Sequence, residues 1–575
     1  ISDMPAGAKV INSLWVVTFK KENPEEARQV TRVRARLALK GFQQRKNKEY
    51  FEIFSNVLQA ATNRSMYAMQ AGEWATMTSS ERRKYMPSKE DTPVAFAKSP
   101  LNSGIKIYHR NPPGCREYNE EGIEIVYVTK NAMNGLKQSS KAWELVLEKI
   151  HTQNGYIACG NDPSVVKKVT KEGKTIRGTH VDDTATFGTD MRERESIKQT
   201  MKEKFNTRDE GEVKNWLGTQ VDMDPETGDI VLSQANYLRE NREKFDKFWV
   251  HRKTLTPWPY DRGQILRCDV PQTIEEEKEA KAVPYQALIG TLMWAVEQTK
   301  PETKRILRML STKLANDWTR EHFDLALRLY DFIITSLEWA PGIRYSSRPE
   351  ILGPHKLNEL WYASDASWTG DDGEHTYTHL DDQRVMPKEG SPDMEELKKR
   401  MQYSTQGYVI MCNGGMIASR CKGYNFIMET VAEAEMVGLN EVSRGGAHNR
   451  AVWEFLTNKS IKEPTKCWVD NRATLQYARS GKLTHGNKHI ARKHLSFVHR
   501  CQEGLNEVLW VPSEENPADL FTKVITNHEK FKYLSMIMLG WAPFRGELEN
   551  EANLPITARK RQDIEITRGA KIKEK

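Results

Sequence analysis

Residues 178–188 read GTHVDDTATFG, with two carboxylates, Asp182 and Asp183, side by side between β-prone segments. This predicts a strand, a tight turn and a second strand over 174–188. Adjacent like charges repel, and neither is easily buried unless a cation sits between them. An acidic hairpin on the surface is one reading of the stretch. A divalent-metal corner is the other, and the flanking sequence must decide between them.

A metal corner for phosphoryl transfer needs two cations about 4 Å apart, held by hard carboxylate oxygens. A third acid must therefore arrive from elsewhere. Asp91, in KEDTPVAFAKSPL (89–101), is the candidate, an acid followed by a β-prone apolar segment. Between the two lies NAMNGLKQSSKAW (131–143), a glycine turn running into a helix over 138–151 with Trp143, Leu147 and Ile150 on one side. Upstream, 12–19 and 30–39 read as a strand pair. In the second strand Val30, Arg32, Arg34 and Arg36 alternate with Thr31, Val33, Ala35 and Leu37, which predicts one basic face and one packing face. A helix and then a loop are expected over 64–89, a charged helix over 191–205, and a strand pair over 211–234 about the Pro225–Asp229 turn.

The second half changes character. Residues 252–283, rich in Pro and charge with EEEKEAK at 275–281, read as a linker. Residues 284–339 carry a helical apolar pattern: Leu288, Leu292, Val296, Ile306, Met309, Leu310 and Leu314. A loop with Pro341, Gly342, Pro349, Gly353 and Pro354 covers 340–357. A new α/β pattern follows: a strand at 360–370 ending in an acid, a charged insertion over about 371–400, a hairpin at 403–420, a helix from near 430, strand-acid-helix at 467–481, and strand-loop-helix at 505–523.

The bulk numbers agree with several domains. The chain has 575 residues, 38% hydrophobic and 29% charged. It carries 86 Lys+Arg against 78 Asp+Glu, a net charge of +8, which permits a polyanionic partner without requiring one. Seven scattered cysteines with no C-x-x-C pair argue against a disulfide framework and a structural zinc. No apolar run reaches the ~20 residues needed to span a bilayer. The first residue is Ile1, which suggests a cut from a longer precursor or an expressed fragment.

Taken in order, these motifs resemble the reverse transcriptase–RNase H portion of copia-type LTR retrotransposon polyproteins. The resemblance runs through TRVRARLALKGFQQRKNKEYFEIFSNV (31–57), DTPVAF (91–96), IYHRNPPG (107–114), NGLKQSSKAW (134–143), HVDD (180–183), GEVKNWLGTQV (211–221) and PYQALIGTLMWA (284–295). It continues through YASDASW (362–368), TVAEAEMVGL (430–439), CWVDNRATLQYA (467–478) and NPADLFTK (516–523), and covers about residues 10–540. It implies a multidomain α+β and α/β chain: right-hand polymerase fingers and palm over 1–235, a helical thumb or connection over 236–355, an RNase H-like domain over 356–545, and a basic flexible tail over 546–575.

The resemblance also implies roles. Asp91, Asp182 and Asp183 would hold two Mg²⁺ ions, with Mn²⁺ as a substitute. Arg36 and Lys40 would meet the incoming triphosphate. Phe96 would block the sugar 2′-OH, and Asn134, Gly135 and Gln138 would line the nucleotide pocket. His180, where the family has Tyr, would sit beside the primer end, and Trp216 would contact nucleic acid. Asp365, Glu435, Asp470 and Asp519 fall at strand ends, on a helix and at a loop–helix junction, as a second two-metal site needs; Glu433 competes with Glu435. Lys488, His489, Arg492 and Lys493 form a basic cluster suited to phosphates, with no cysteine or acid to complete a zinc set at a standard spacing.

The expected activity is RNA-directed DNA synthesis followed by cleavage of the RNA strand of the hybrid. Expected partners are an RNA template, a DNA primer, the RNA/DNA hybrid and dNTPs, with integrase of the same polyprotein and a second copy of the chain as further candidates, and no membrane. The expected location is cytoplasmic, within virus-like particles, and later nuclear with the cDNA. Two rivals stand: a non-catalytic nucleic-acid-binding scaffold, and a DNA-templated polymerase with the same palm.

Overall fold

The computed structural model describes residues 4–5, 7–20, 32–101, 104, 106–259, 271, 273–312, 318–367, 404–424, 428, 430–481 and 490–546. The 371–400 insertion, Lys488, His489 and residues 547–575 lie outside the described residues. The described chain packs as two compact units, one drawn from residues 1–59 and 85–213, the other from 60–84 and 214–575.

The first unit is built on a six-stranded antiparallel sheet. Its order is Arg208–Glu212, Ser88–Asp91, Asp183–Phe187, Lys174–His180, Asp162–Val169, Ile157–Cys159. Two helices, Ser139–Gln153 and Met191–Phe205, bury Trp143, Leu147, Ile150, Ile197, Met201 and Phe205 in one apolar cluster with Val166 of the sheet. The second helix starts where the Asp190 side chain accepts from the Glu193 N–H at 3.0 Å, and ends at Asn206 in the left-handed region. A three-stranded sheet of Val10–Ile11, Ile107–His109 and Tyr127–Thr129 stands apart from it.

The basic hairpin forms as Ser13–Lys20 against Arg32–Leu39, with the expected two-residue alternation. Its apolar face, however, is not packed: Trp15, Val17, Phe19 and Val33 are exposed. Among the described residues no third layer covers the exposed part of this two-stranded ribbon.

The second unit holds two sheets. One, of Asn215–Trp216, Thr219–Met223, Ile230–Ser233 and Gly342–Tyr345, corrects the expected loop at 340–357, since Gly342–Tyr345 is an edge strand paired with Ile230–Ser233. The other is mixed, in the order Gly415–Gly423, Thr405–Cys412, Trp361–Ser367, Thr465–Val469, Asn506–Trp510, with its last three strands parallel. The long helix Val431–Thr457 lies on this sheet. It approaches closely because Gly446 faces the Tyr362 ring, where an added Cβ would meet ring carbon at 2.3 Å. The segment Ala60–Trp74, helical from four residues earlier than expected, also packs in this unit: the Arg64 Nε donates to the Ile417 carbonyl at 2.6 Å.

The expected linker at 252–283 contains a helix, Ile274–Lys281, opened by a capping box between Thr273 and Glu276. Three of its four acids sit in the first turn and its lysines in the last, which favours the helix dipole. Of the helical pattern beyond it, Leu288, Leu292, Val296, Ile306 and Leu310 are buried, Met309 is half-buried, and Leu314 lies outside the described residues. Among the described residues no helix is long and apolar enough to cross a membrane.

Candidate functional site: two acidic centres

Antiparallel pairing of Asp183–Phe187 with Ser88–Asp91 sets Asp183 directly opposite Asp91. On its other side Asp183 faces His180 across the turn. Asp182 occupies the turn, exposed, and its carbonyl accepts from the Thr92 N–H at 3.0 Å. Val181 sits at φ +58°, a left-handed conformation that a β-branched residue adopts only under constraint. The constraint is visible: the Trp143 indole N–H donates to the Val181 carbonyl at 2.6 Å. The helix 139–153 therefore pins the turn that carries the acids.

The electrostatics are those of crowded anions. Burial, then Asp182 and Glu210, push the Asp91 carboxyl above its ordinary value. Burial raises Asp183 as well, against the pull of Lys89, with Asp182 and Asp91 adding to the rise. Lys89 Nζ lies 3.4 Å from Asp183 and 2.9 Å from Glu210. Below them, Arg177 and Glu90 make a fully buried ion pair at 2.9 Å, to which the Thr186 hydroxyl adds a hydrogen bond.

A cavity of about 490 Å³ opens beside this turn, lined by Arg36, Phe96, Asn134 and Asp182 together with Arg34 and Met133. Three of the six expected nucleotide-pocket residues thus share one cavity with Asp182. Lys40, Gly135 and Gln138 are not among the residues that line this cavity. Gly135 has φ +88°, and an added Cβ would lie 2.1 Å from the Leu39 carbonyl oxygen. Beside it the Leu39 N–H donates to the Asn134 carbonyl at 2.8 Å, tying the glycine turn to the basic hairpin. Gln138 is buried, donating to the Glu49 carbonyl and accepting from the Gln44 amide, both at 2.9 Å. Lys40 is half-buried, its backbone N–H given to Asn12. His180 is half-buried beside the acids.

Trp216 is a correction. It is 1% exposed, and its indole N–H donates to Asn63 at 2.9 Å, so its ring has no face free for nucleic acid.

The second centre is tighter. Asp365 comes from the Trp361–Ser367 strand, Asp470 follows the Thr465–Val469 strand, and Asp519 sits in the short helix Pro517–Phe521. Their carboxylate oxygens lie within 4.8 Å of one another. Glu435, on the Val431–Thr457 helix, is buried beside them and has one carboxylate oxygen without a hydrogen-bond partner. Burial, then Asp365 and Asp470, hold Glu435 well above the usual carboxylate range. Burial and Asp365 raise Asp470. Burial and Asp365 push Asp519 up to about 7 even against Lys523.

Glu433 is engaged elsewhere. It closes a capping box with Thr430, whose N–H reaches the Glu433 carboxylate at 3.2 Å. The pattern Thr430-x-x-Glu433 was readable in the sequence and separates the two glutamates.

Lys523 was not anticipated. Its ammonium lies 2.7 Å from Asp519, 3.4 Å from Asp365 and 3.6 Å from Asp470. Its place four residues after Asp519 in a helical turn was the available signal. Lys530 reaches the other Asp519 oxygen at 3.1 Å, and the Thr522 hydroxyl donates to Asp365. Four clustered carboxyls against these two ammonium groups leave an acid-rich pocket with a Glu435 oxygen unpartnered. That donor set suits a hard divalent cation. Of the expected basic cluster, Arg492 is exposed and Lys493 half-buried.

The fold and these sites define a mixed α/β chain with two separate acidic centres, each carried on its own sheet. Residues 1–255 match the family described as Reverse transcriptase (RNA-dependent DNA polymerase). Over most of its length the chain is similar to copia-type transposon Pol polyproteins. It is 22% identical over 92% of its length to the Retrovirus-related Pol polyprotein from transposon TNT 1-94 of Nicotiana tabacum, covering 35% of that polyprotein. It is likewise 22% identical over 91% of its length to that of transposon RE1 of Arabidopsis thaliana, covering 31%. The chain thus spans about a third of the length of these relatives. A solved foamy viral protease-reverse transcriptase in complex with double-stranded DNA aligns over 83% of this chain and 63% of its own, at 11% identity and a TM-score of 0.39.

Proposed function

We propose that the chain is an RNA-directed DNA polymerase with a hybrid-cleaving RNase H centre, acting on retrotransposon RNA. The observation that carries the reading is the register of Asp183 opposite Asp91, with Asp182 lining a cavity that also holds Arg36 and Phe96. In such a cavity a guanidinium can meet a triphosphate and an aromatic ring can exclude a 2′-hydroxyl, while the acids face the reacting end.

Asp91, Asp182 and Asp183 would hold Mg²⁺ at the first centre, and Asp365, Glu435, Asp470 and Asp519 at the second. The bound metal supplies activation of the attacking oxygen and neutralises charge on the phosphoryl oxygens. The protein residues do the rest. Trp143 fixes the acidic turn through Val181, Gly135 and Gln138 hold the pocket wall, and Lys523 favours the charged form of its three acids. An RNA template, a DNA primer and dNTPs are the implied partners.

The test is primer extension on an RNA template with Mg²⁺ and dNTPs, both strands labelled. DNA growth with RNA shortening is expected. Asp182→Asn should abolish growth and spare RNA cleavage, and Asp470→Asn should do the reverse. Extension only on DNA templates would favour the DNA-templated polymerase. Tight hybrid binding with neither change, in Mg²⁺ and in Mn²⁺, would refute the catalytic reading in favour of a scaffold.

A further inference from the structure

Two residues past Asp470, the exposed side chain of Arg472 stacks on the Trp510 ring, its guanidinium carbon 4.6 Å from the ring centroid. The same Trp510 donates its indole N–H to the Asp470 carbonyl at 2.9 Å. One tryptophan therefore fixes both the backbone of a catalytic acid and the direction of a cation beside it. Arg472 opens the helix Arg472–Ser480, whose first turn is capped by the Asn471 side chain on the Thr474 N–H at 2.9 Å. No ion pair to Arg472 is found among the described residues, although four carboxylates cluster one strand end away. The cations those acids do recruit are Lys523 and Lys530.

An exposed guanidinium that is held rigid, yet unused by the acids next to it, has kept its donors for something else. Stacking leaves the guanidinium edge free, and that edge presents paired N–H donors matched to a phosphate. Cation–π contact also removes much of the side-chain freedom that a phosphate contact would otherwise have to freeze. Two residues of backbone span at most ~7 Å. A group held there reaches a neighbouring phosphodiester on the same strand while Asp470 faces the scissile one.

We propose that Arg472, aimed by Trp510, is a substrate-contact residue that grips a backbone phosphate of the RNA/DNA hybrid next to the cleaved bond. The contact sets the register in which the strand meets the four acids. It rests on the RNase H reading of the second centre, and the phosphate contact itself is measurable without cleavage.

The experiment uses the full chain and a labelled RNA/DNA hybrid. Binding is read by anisotropy without divalent metal across a salt series, and cleavage by steady-state kinetics with Mg²⁺. Arg472→Gln should weaken hybrid binding and raise KM by about tenfold, the size of one charge-assisted contact. It should also flatten the dependence of log K on log salt by about one phosphate and blur the positions at which the RNA strand is cut. Arg472→Lys, which keeps the charge and loses the planar stack, should restore the salt slope but only part of the affinity. Trp510→Phe keeps a ring under the guanidinium and loses the bond to Asp470; it should lower kcat and leave the salt slope intact. If Arg472→Gln binds hybrid with unchanged affinity and salt slope, the proposal is overturned. If the wild-type chain cleaves nothing yet Arg472→Gln still flattens the slope, the RNase H reading fails and the phosphate contact stands.

Discussion

Replacing Asp519 by Asn should make the metal-free protein more stable at pH 8 while destroying hybrid cleavage. Asp519 is fully buried, and burial together with Asp365 pushes its carboxyl up to about 7. Its unfolded value is the ordinary 3.8. Between those values the folded protein keeps a proton that the unfolded chain has released. The native state is therefore favoured at low pH, and that advantage is lost as pH rises through 7. A gap of about three units at ~1.4 kcal/mol each is on the order of 4 kcal/mol. That figure belongs to the acid cluster as a whole, whose members repel jointly. The substitution leaves Lys523 still paired, 3.4 Å from Asp365 and 3.6 Å from Asp470, while Lys530 loses its carboxylate partner but is exposed enough to be solvated. Urea unfolding in chelator at pH 5 and pH 8 is the assay. The variant should gain on wild type as pH rises, and Mg²⁺ should stabilise wild type more than the variant. A variant less stable than wild type at pH 8, or a difference independent of pH, would mean that the four acids are already compensated and that no cation is needed to relieve them.

Three further outcomes follow from single residues. Gly135→Ala would drive a Cβ against the Leu39 carbonyl at positive φ, so DNA synthesis should fall sharply and the first unit lose a few kcal/mol, while RNA cleavage persists; denaturation and both activity assays read this. Phe96→Ala opens the cavity that also holds Asp182, so discrimination against ribonucleotides should relax by ~10-fold or more in single-nucleotide insertion assays. Thr430→Ala removes the cap that engages Glu433 and should cost ~1 kcal/mol without changing the kcat of cleavage, whereas Glu435→Gln should abolish cleavage.

The last contrast shows where the sequence was legible. Asp91, Asp182 and Asp183 could be read because strand ends and tight turns leave a short-range pattern, and the pairing of Asp183 with Asp91 is what two neighbouring strands of that pattern produce. Asp365 and Asp470 were readable for the same reason, whereas Glu435 and Asp519 sit on a helix and at a loop–helix junction, where Glu433 stayed a rival to Glu435. What failed depended on the third layer. Alternation in 30–39 tells which side chains share a face, but not whether anything covers it, so the apolar side of the hairpin was assigned to packing that the ribbon does not have. Trp216 shows the converse, since an indole suited to stacking on bases is equally suited to a core where Asn63 accepts its N–H. The hydrogen bonds of the Gln138 amide to Glu49 and Gln44 run across some ninety residues, which no local pattern encodes.

Lys523 is the instructive miss, because its sequence neighbourhood was already under inspection. A search for metal ligands reads acids and passes over the cation between them. Yet clustered carboxylates in a fold that must stand before metal arrives need an internal counter-charge, or their repulsion is carried by protonation. Both centres meet that need in the same way. Lys89 lies 3.4 Å from Asp183 at the first, and Lys523 2.7 Å from Asp519 at the second. A lysine two residues before a catalytic acid on a strand, or four after one on a helical turn, falls on the acid's own face. That spacing is visible in the sequence, and it marks an acid set arranged to hold together both with and without its cation.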